Sequence, residues 1–172
     1  FKLDTDSPGK ENVKFMAAEI NIQPKEKRVK NFAEASSGYS KRQAANEARR
    51  CPQPASQEHM HLCPLGVDIL GFVRHIREGD AARALGTIRG NNCLPGVCGR
   101  ICPAPCEKEF IRQNPESTFV PGIQALERFA ADYGGPKAKA PSPAAVTQKI
   151  AVVGSGPAGL TSAAGLARSS PS

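Results

Sequence analysis

Tryptophan is absent from this 172-residue chain, methionine occurs twice, and aromatic residues make up only 5% of it. A core built on large rings is excluded, and with 16 glycines and 15 prolines among the apolar positions a large close-packed interior is not expected. No apolar run approaches the roughly 18 to 20 residues that a bilayer-spanning helix needs, so no membrane span is predicted. The first 20 residues mix Lys, Asp and Glu and hold no apolar h-region, which reads against a secretory signal and for a cytoplasmic protein. The chain starts at Phe1 rather than Met, so some preceding residues are expected to be missing. Aromatics interleaved with cations, the pattern of a single-strand binder, are also lacking. Lys+Arg 23 against Asp+Glu 16 leaves a net charge of +7, spread out except for a basic cluster at residues 25–30, and nucleic-acid binding is not expected.

What the chain does have is six cysteines. A thin core is often stapled by disulfides or by a metal centre. Without an export signal the thiols are expected to be reduced, and their clustering near Pro and Gly favours metal ligation.

Along the chain, residues 1–38 are polar and charged and read as an extended arm. Residues 39–133 read as a helical domain. Ser40 can cap a helix from Lys41 to Arg50, which delivers Cys51. Asp68 can cap a second, in which Ile69, Phe72, Val73 and Ile76 repeat at i, i+3, i+4 and i+7. Gly79 stops it, and Asp80 caps a third running to Arg89, giving a helical hairpin between two cysteine loops. A fourth, from about Gly122 to Tyr133, gathers Ile123, Leu126, Phe129, Ala130 and Tyr133 on one face, with Glu127 at that face's edge. A carboxylate turned toward the interior costs several kcal/mol unless it is paired, protonated or bound to a metal; an arginine salt bridge is the plain alternative. Residues 134–148, rich in Gly, Pro, Ala and Lys, read as a linker. Residues 149–172 open with a buried-type strand, Lys149 to Val153, then Gly154-Ser-Gly156-Pro157-Ala158-Gly159 and an Ala/Leu-rich helix. Strand, G-x-G-x-x-G turn and helix come in the order of a pyrophosphate-binding turn, the first part of a truncated α/β Rossmann-type domain. The acidic residue expected some 20 positions later and the other strands are not in this chain, which therefore cannot complete a dinucleotide site alone.

The second cysteine group reads Cys98-Gly-Arg-Ile-Cys102-Pro-Ala-Pro-Cys106 with Cys93 upstream; the first holds Cys51 and Cys63-Pro64. Short-spaced thiolates followed by Pro suit an iron–sulfur cluster, because Pro turns the chain away without presenting a backbone donor. A zinc site using His59, His61 and Cys63 is the alternative.

Taken with Phe32-Ala-Glu, Gly38-Tyr39, Gln43-Ala-Ala, Glu47-Ala48-Arg-Arg-Cys51, Cys63-Pro64-Leu-Gly-Val-Asp-Ile69 and Ile123-Gln-Ala-Leu-Glu127-Arg-Phe129-Ala, these runs resemble the N-terminal iron–sulfur domain of the glutamate synthase small subunit. The same domain opens the large subunit of the bifurcating NADH-dependent ferredoxin:NADP oxidoreductase and dihydropyrimidine dehydrogenase, where a linker leads to the FAD-binding strand, as at Lys149. The resemblance spans about residues 30 to 168. It implies two [4Fe-4S] sites, of which this sequence keeps one. The family's first motif, C-x2-C-x4-C-x3-C-P, falls on Cys51, Pro54, His59 and Cys63; its second falls on Cys98, Cys102, Cys106 and Phe110. The site that would use Cys51, Pro54, His59 and Phe110 is expected to be lost, leaving Cys51 a relict thiol. The other, using Cys63, Cys102, Cys106 and Glu127, is complete, and this would account for the inward carboxylate. Cys93 and Cys98 stay open between buried small thiols and substitute ligands.

The resemblance further implies a complete protein that takes hydride from NAD(P)H onto FAD, held at Gly154, Gly156, Pro157, Ala158 and Gly159, and passes electrons through one [4Fe-4S] cluster to a partner in a hetero-oligomer. Such partners include a glutamate synthase large subunit, a ferredoxin or a sirohaem sulfite reductase. The basic surface and the arm are expected to help dock an acidic partner. A non-catalytic iron–sulfur or zinc docking module is the rival reading, and whether this chain by itself is an enzyme stays open.

Overall fold

Ser40 and Gln43 start the first long helix by exchanging hydrogen bonds: the Gln43 N–H donates to Ser40 Oγ at 3.3 Å and the Ser40 N–H to Gln43 Oε1 at 3.0 Å. In the computed structural model, which describes residues 17–51, 62–115, 120–135 and 149–169, this capping box opens α2, Lys41–Arg50, after a single-turn α1, Lys25–Arg28. Replacing Ser40 with Ala is expected to remove about 1 kcal/mol of stability, seen as a lower urea midpoint at unchanged slope. Asp68 accepts from Gly71 N at 2.8 Å to start α3, Ile69–Arg77, and Asp80 from Arg83 N at 2.8 Å to start α4, Ala81–Asn91. Those starts are the expected ones, while α4 runs two residues beyond Arg89.

Four expectations need correction. The second cysteine segment is not a loop but two short helices, α5, Pro95–Ile101, and α6, Pro105–Gln113; each begins on a proline, whose fixed φ suits a helix start. The part of the arm that is described is not simply extended. Beside α1 it holds an antiparallel bridge between Ile22 and Ser36, with Gln23 N donating to Ala35 O at 2.7 Å and Ser37 N to Asn21 O at 2.9 Å. Residues 149–153 form no strand, because none of the described residues offers a backbone to pair with. On the fourth helix, Tyr133 is 46% exposed, while Arg128 on the same helix is buried. The Gly-rich turn does lead into a helix, α8, Pro157–Ser169, with Leu160 N donating to Gly156 O at 3.0 Å. A Cβ on Gly159 would collide with the Gly154 carbonyl, so that close approach requires glycine. Most of the expected linker lies outside the described residues.

The remaining helix, α7, Ile123–Tyr133, touches α2, α3, α4 and α5 and forms the centre of the core. Leu126 and Ala130 are fully buried on it, against a core that includes Phe72, Val73, Ile88 and Ala48; large apolar side chains buried this way contribute roughly 1.5 to 3 kcal/mol each. No side chain of its own caps α7. Two carboxylates from other elements do so instead: Glu47 accepts from Gly122 N at 3.0 Å, and Glu107 from Gln124 N at 2.8 Å. At the opposite side, buried Arg128 donates to Glu34 Oε2 at 2.8 Å and to Ser36 O at 2.7 Å, clamping the arm onto α7. Arg100 of α5 joins this network through Glu34 and, at 2.9 Å, through Asp132. The Arg100 guanidinium is the main reason that Glu34 is held below the usual carboxylate range.

Candidate metal centre

The turn after Cys63 is closed by Gly66 N donating to Cys63 O at 2.8 Å, and it is tied to the end of α4 by Asn91 Nδ2 donating to Leu65 O at 3.2 Å. This places Cys63 opposite the corner between α5 and α6. Cys102 ends α5, its N–H donating to Cys98 O at 3.0 Å. The chain then reverses at Ala104, which takes a left-handed φ of 49° between two prolines. Proline at 105 disfavours the right-handed helical region for the residue before it, so the turn is enforced at a cost of roughly 1 to 2 kcal/mol. The reversal brings Cys106, in the first turn of α6, back to the same space.

Those elements enclose a cavity of about 290 Å³. Cys63, Cys98, Cys102, Cys106 and Glu127 line it, together with Asn92 and apolar side chains that include Leu65, Val67, Ile69, Phe72 and Ile123. All four residues expected as ligands are therefore brought together. Cys98 joins them, while Cys93 lies elsewhere, with its Sγ 3.4 Å from Thr161 Oγ1. The signal for Cys98 was in the sequence: a spacing of four from Cys102 is one helical turn, which puts both thiols on one face once the segment is helical. Nothing local announced Asn92, whose Nδ2 donates to Glu127 Oε1 at 2.7 Å. The inward carboxylate thus meets an amide rather than an arginine.

The donor set fits a cationic centre. Burial pushes the Cys106 thiol up to about 12, reinforced by the Glu107 charge. It also raises Cys98 and Glu127, in each case against the opposing hydrogen bond from Asn92. Negative charge in this apolar hollow is costly alone, and a bound cation offsets that cost. Among the described residues no three Cys, His, Asp or Glu side chains converge closely enough to hold a single metal ion. None of the six cysteines is in a disulfide.

Of the other expected set, Cys51 and Phe110 are both buried in the hydrophobic core, and burial raises the Cys51 thiol to about 11. Pro54 and His59, like His61 of the zinc alternative, lie outside the described residues.

Residues 28–138 match the family described as dihydropyrimidine dehydrogenase domain II, 4Fe-4S cluster. The chain belongs to that family. It is 40% identical over 107 residues to the NADPH-Fe(3+) oxidoreductase subunit beta of Geobacter sulfurreducens, covering 60% of this chain and 16% of that protein. It is 30% identical over 142 residues to the glutamate synthase [NADPH] small chain of Halomonas elongata, covering 80% and 30%. With the NAD-dependent dihydropyrimidine dehydrogenase subunit PreT of Salmonella typhimurium it shares 34% identity over 135 residues, covering 74% and 31%. The chain spans less than a third of the length of each of these relatives. Among the described residues no helix is long and apolar enough to cross a membrane.

Proposed function

We propose that this chain is the electron-transfer part of an NAD(P)H-dependent FAD and iron–sulfur oxidoreductase, holding one [4Fe-4S] cluster on Cys63, Cys102, Cys106 and Glu127. The observation that carries this reading is the convergence of these four donors, from three separate stretches of chain, on one apolar cavity. A [4Fe-4S] cluster supplies one-electron uptake and release, the step needed between a two-electron flavin and a one-electron acceptor. Cys63, Cys102 and Cys106 give up their protons to bind as thiolates. Asn92 holds Glu127 Oε1, and the carboxylate so fixed would be the oxygen ligand to the metal. The buried side chains of Val67, Ile69 and Phe72 make part of the cavity wall apolar. That Cys51 and Phe110 are packed in the core supports the loss of the second site.

In the complete protein, the turn at Gly154, Gly156, Pro157, Ala158 and Gly159 and the first N–H groups of α8 receive the FAD pyrophosphate. The electron acceptor is a partner protein in a hetero-oligomer, in the manner of a glutamate synthase large subunit, a ferredoxin or a sirohaem sulfite reductase. The test is anaerobic iron and acid-labile sulfide analysis with electron paramagnetic resonance on the reduced protein. About four irons and as many sulfides per chain are expected. About eight irons would restore the second site, and zinc without sulfide would replace the cluster altogether. Reduction of a dye by NAD(P)H with the full-length protein separates a catalyst from a docking module.

A further inference from the structure

The cavity holds one donor more than a four-iron cluster uses, since Cys63, Cys98, Cys102, Cys106 and Glu127 all line it. Cys98 and Glu127 flank a close approach of α5 to α7: a Cβ on Gly99, next to Cys98, would lie 2.6 Å from the backbone N and Cα of Arg128, next to Glu127. Asn92 stands between them, 5% exposed at the end of α4. Its amide donates to Glu127 Oε1 at 2.7 Å and its Oδ1 is taken by Leu94 N at 2.9 Å. Asn92, Cys98 and Glu127 therefore share one cavity, with the carboxylate fixed by the amide.

Resting on the one-cluster reading above, we infer that Cys98 is a second donor for the iron position served by Glu127, so that a thiolate and a carboxylate are alternative fourth ligands. When the carboxylate is withdrawn, Cys98 releases its proton to solvent and binds through sulfur in its place. No electron is transferred in the exchange. Sulfur is the softer donor and suits iron in a sulfide-bridged cluster.

The experiment uses the whole chain, reconstituted anaerobically with ferrous iron and sulfide, and compares wild type with Glu127→Ala, Glu127→Ala/Cys98→Ala and Glu127→Ala/Cys93→Ala. Glu127→Ala is expected to keep about four irons with shifted g-values. The Cys98 double variant is expected to lose at least about one iron per chain, as a cluster with only three ligands does. The Cys93 double variant, altered outside the cavity, is expected to match Glu127→Ala. If Glu127→Ala and its Cys98 double variant have the same iron content and spectrum while wild type carries a cluster, the inference alone is overturned. Wild type without iron and sulfide overturns the one-cluster reading and this inference with it. Circular dichroism monitors folding, and Glu127→Leu replaces Glu127→Ala throughout if the alanine lowers helicity.

Discussion

Glu47→Ala is expected to destabilise the protein by about 2 to 4 kcal/mol, lowering the thermal midpoint by on the order of 10 °C. Glu47 is 1% exposed, and one carboxylate holds three partners: Ala18 N at 3.1 Å, Gly122 N at 3.0 Å and Arg50 Nη1 at 3.0 Å. Removing it leaves two backbone donors without an acceptor where water is scarce, and it takes one of the two negative groups from the start of α7. Arg50 remains partly solvated, so the lost ion pair is the smaller part of the effect. Glu47→Gln, which keeps an acceptor but no charge, is expected to lose less. A melting curve for Glu47→Ala within 1 kcal/mol of wild type would show that α7 does not depend on this cap.

Gly99→Ala is expected to cut iron incorporation several-fold and to cost about 1 to 3 kcal/mol of stability. Its new methyl would meet the Arg128 backbone at 2.6 Å, and a backbone, unlike a side-chain tip, cannot swing aside. Helices α5 and α7 must therefore separate. Cys98 and Cys102 belong to α5 and Glu127 to α7, so the same displacement widens the cavity. Gly96→Ala is the control, because its methyl would meet only side-chain atoms, at 3.8 Å and beyond. Parallel iron assays and melts of the two variants make the comparison. Equal iron content in both would separate the packing of α5 from metal binding.

The helices with strong local signals were legible in the chain: Ser40, Asp68 and Asp80 each supply the expected cap, and the apolar repeat of α3 faces the core. The helices α5 and α6 were not: two glycines and an opening proline give α5 a local preference for turns, while α6, which has no glycine, begins directly after the Cys102-Pro103-Ala104 turn and reads as part of it. Contact with α7 overrides that preference for α5. The proposed ligands Cys63, Cys102, Cys106 and Glu127 came from the family resemblance. Asn92 could not, since a buried amide acquires its importance from the carboxylate it meets, and that lies on another helix.

By itself the sequence determined the family, the helical class and the residue types available to a metal, because capping, periodicity and cysteine spacing are properties of neighbours along the chain. Only the tertiary structure decided that Cys98 enters the cavity while Cys93 does not, that Cys51 and Phe110 belong to the core, and that Glu127 is held by an amide. Each of these depends on how closely helices distant in sequence approach one another, and that distance is set by features such as the missing side chain of Gly99.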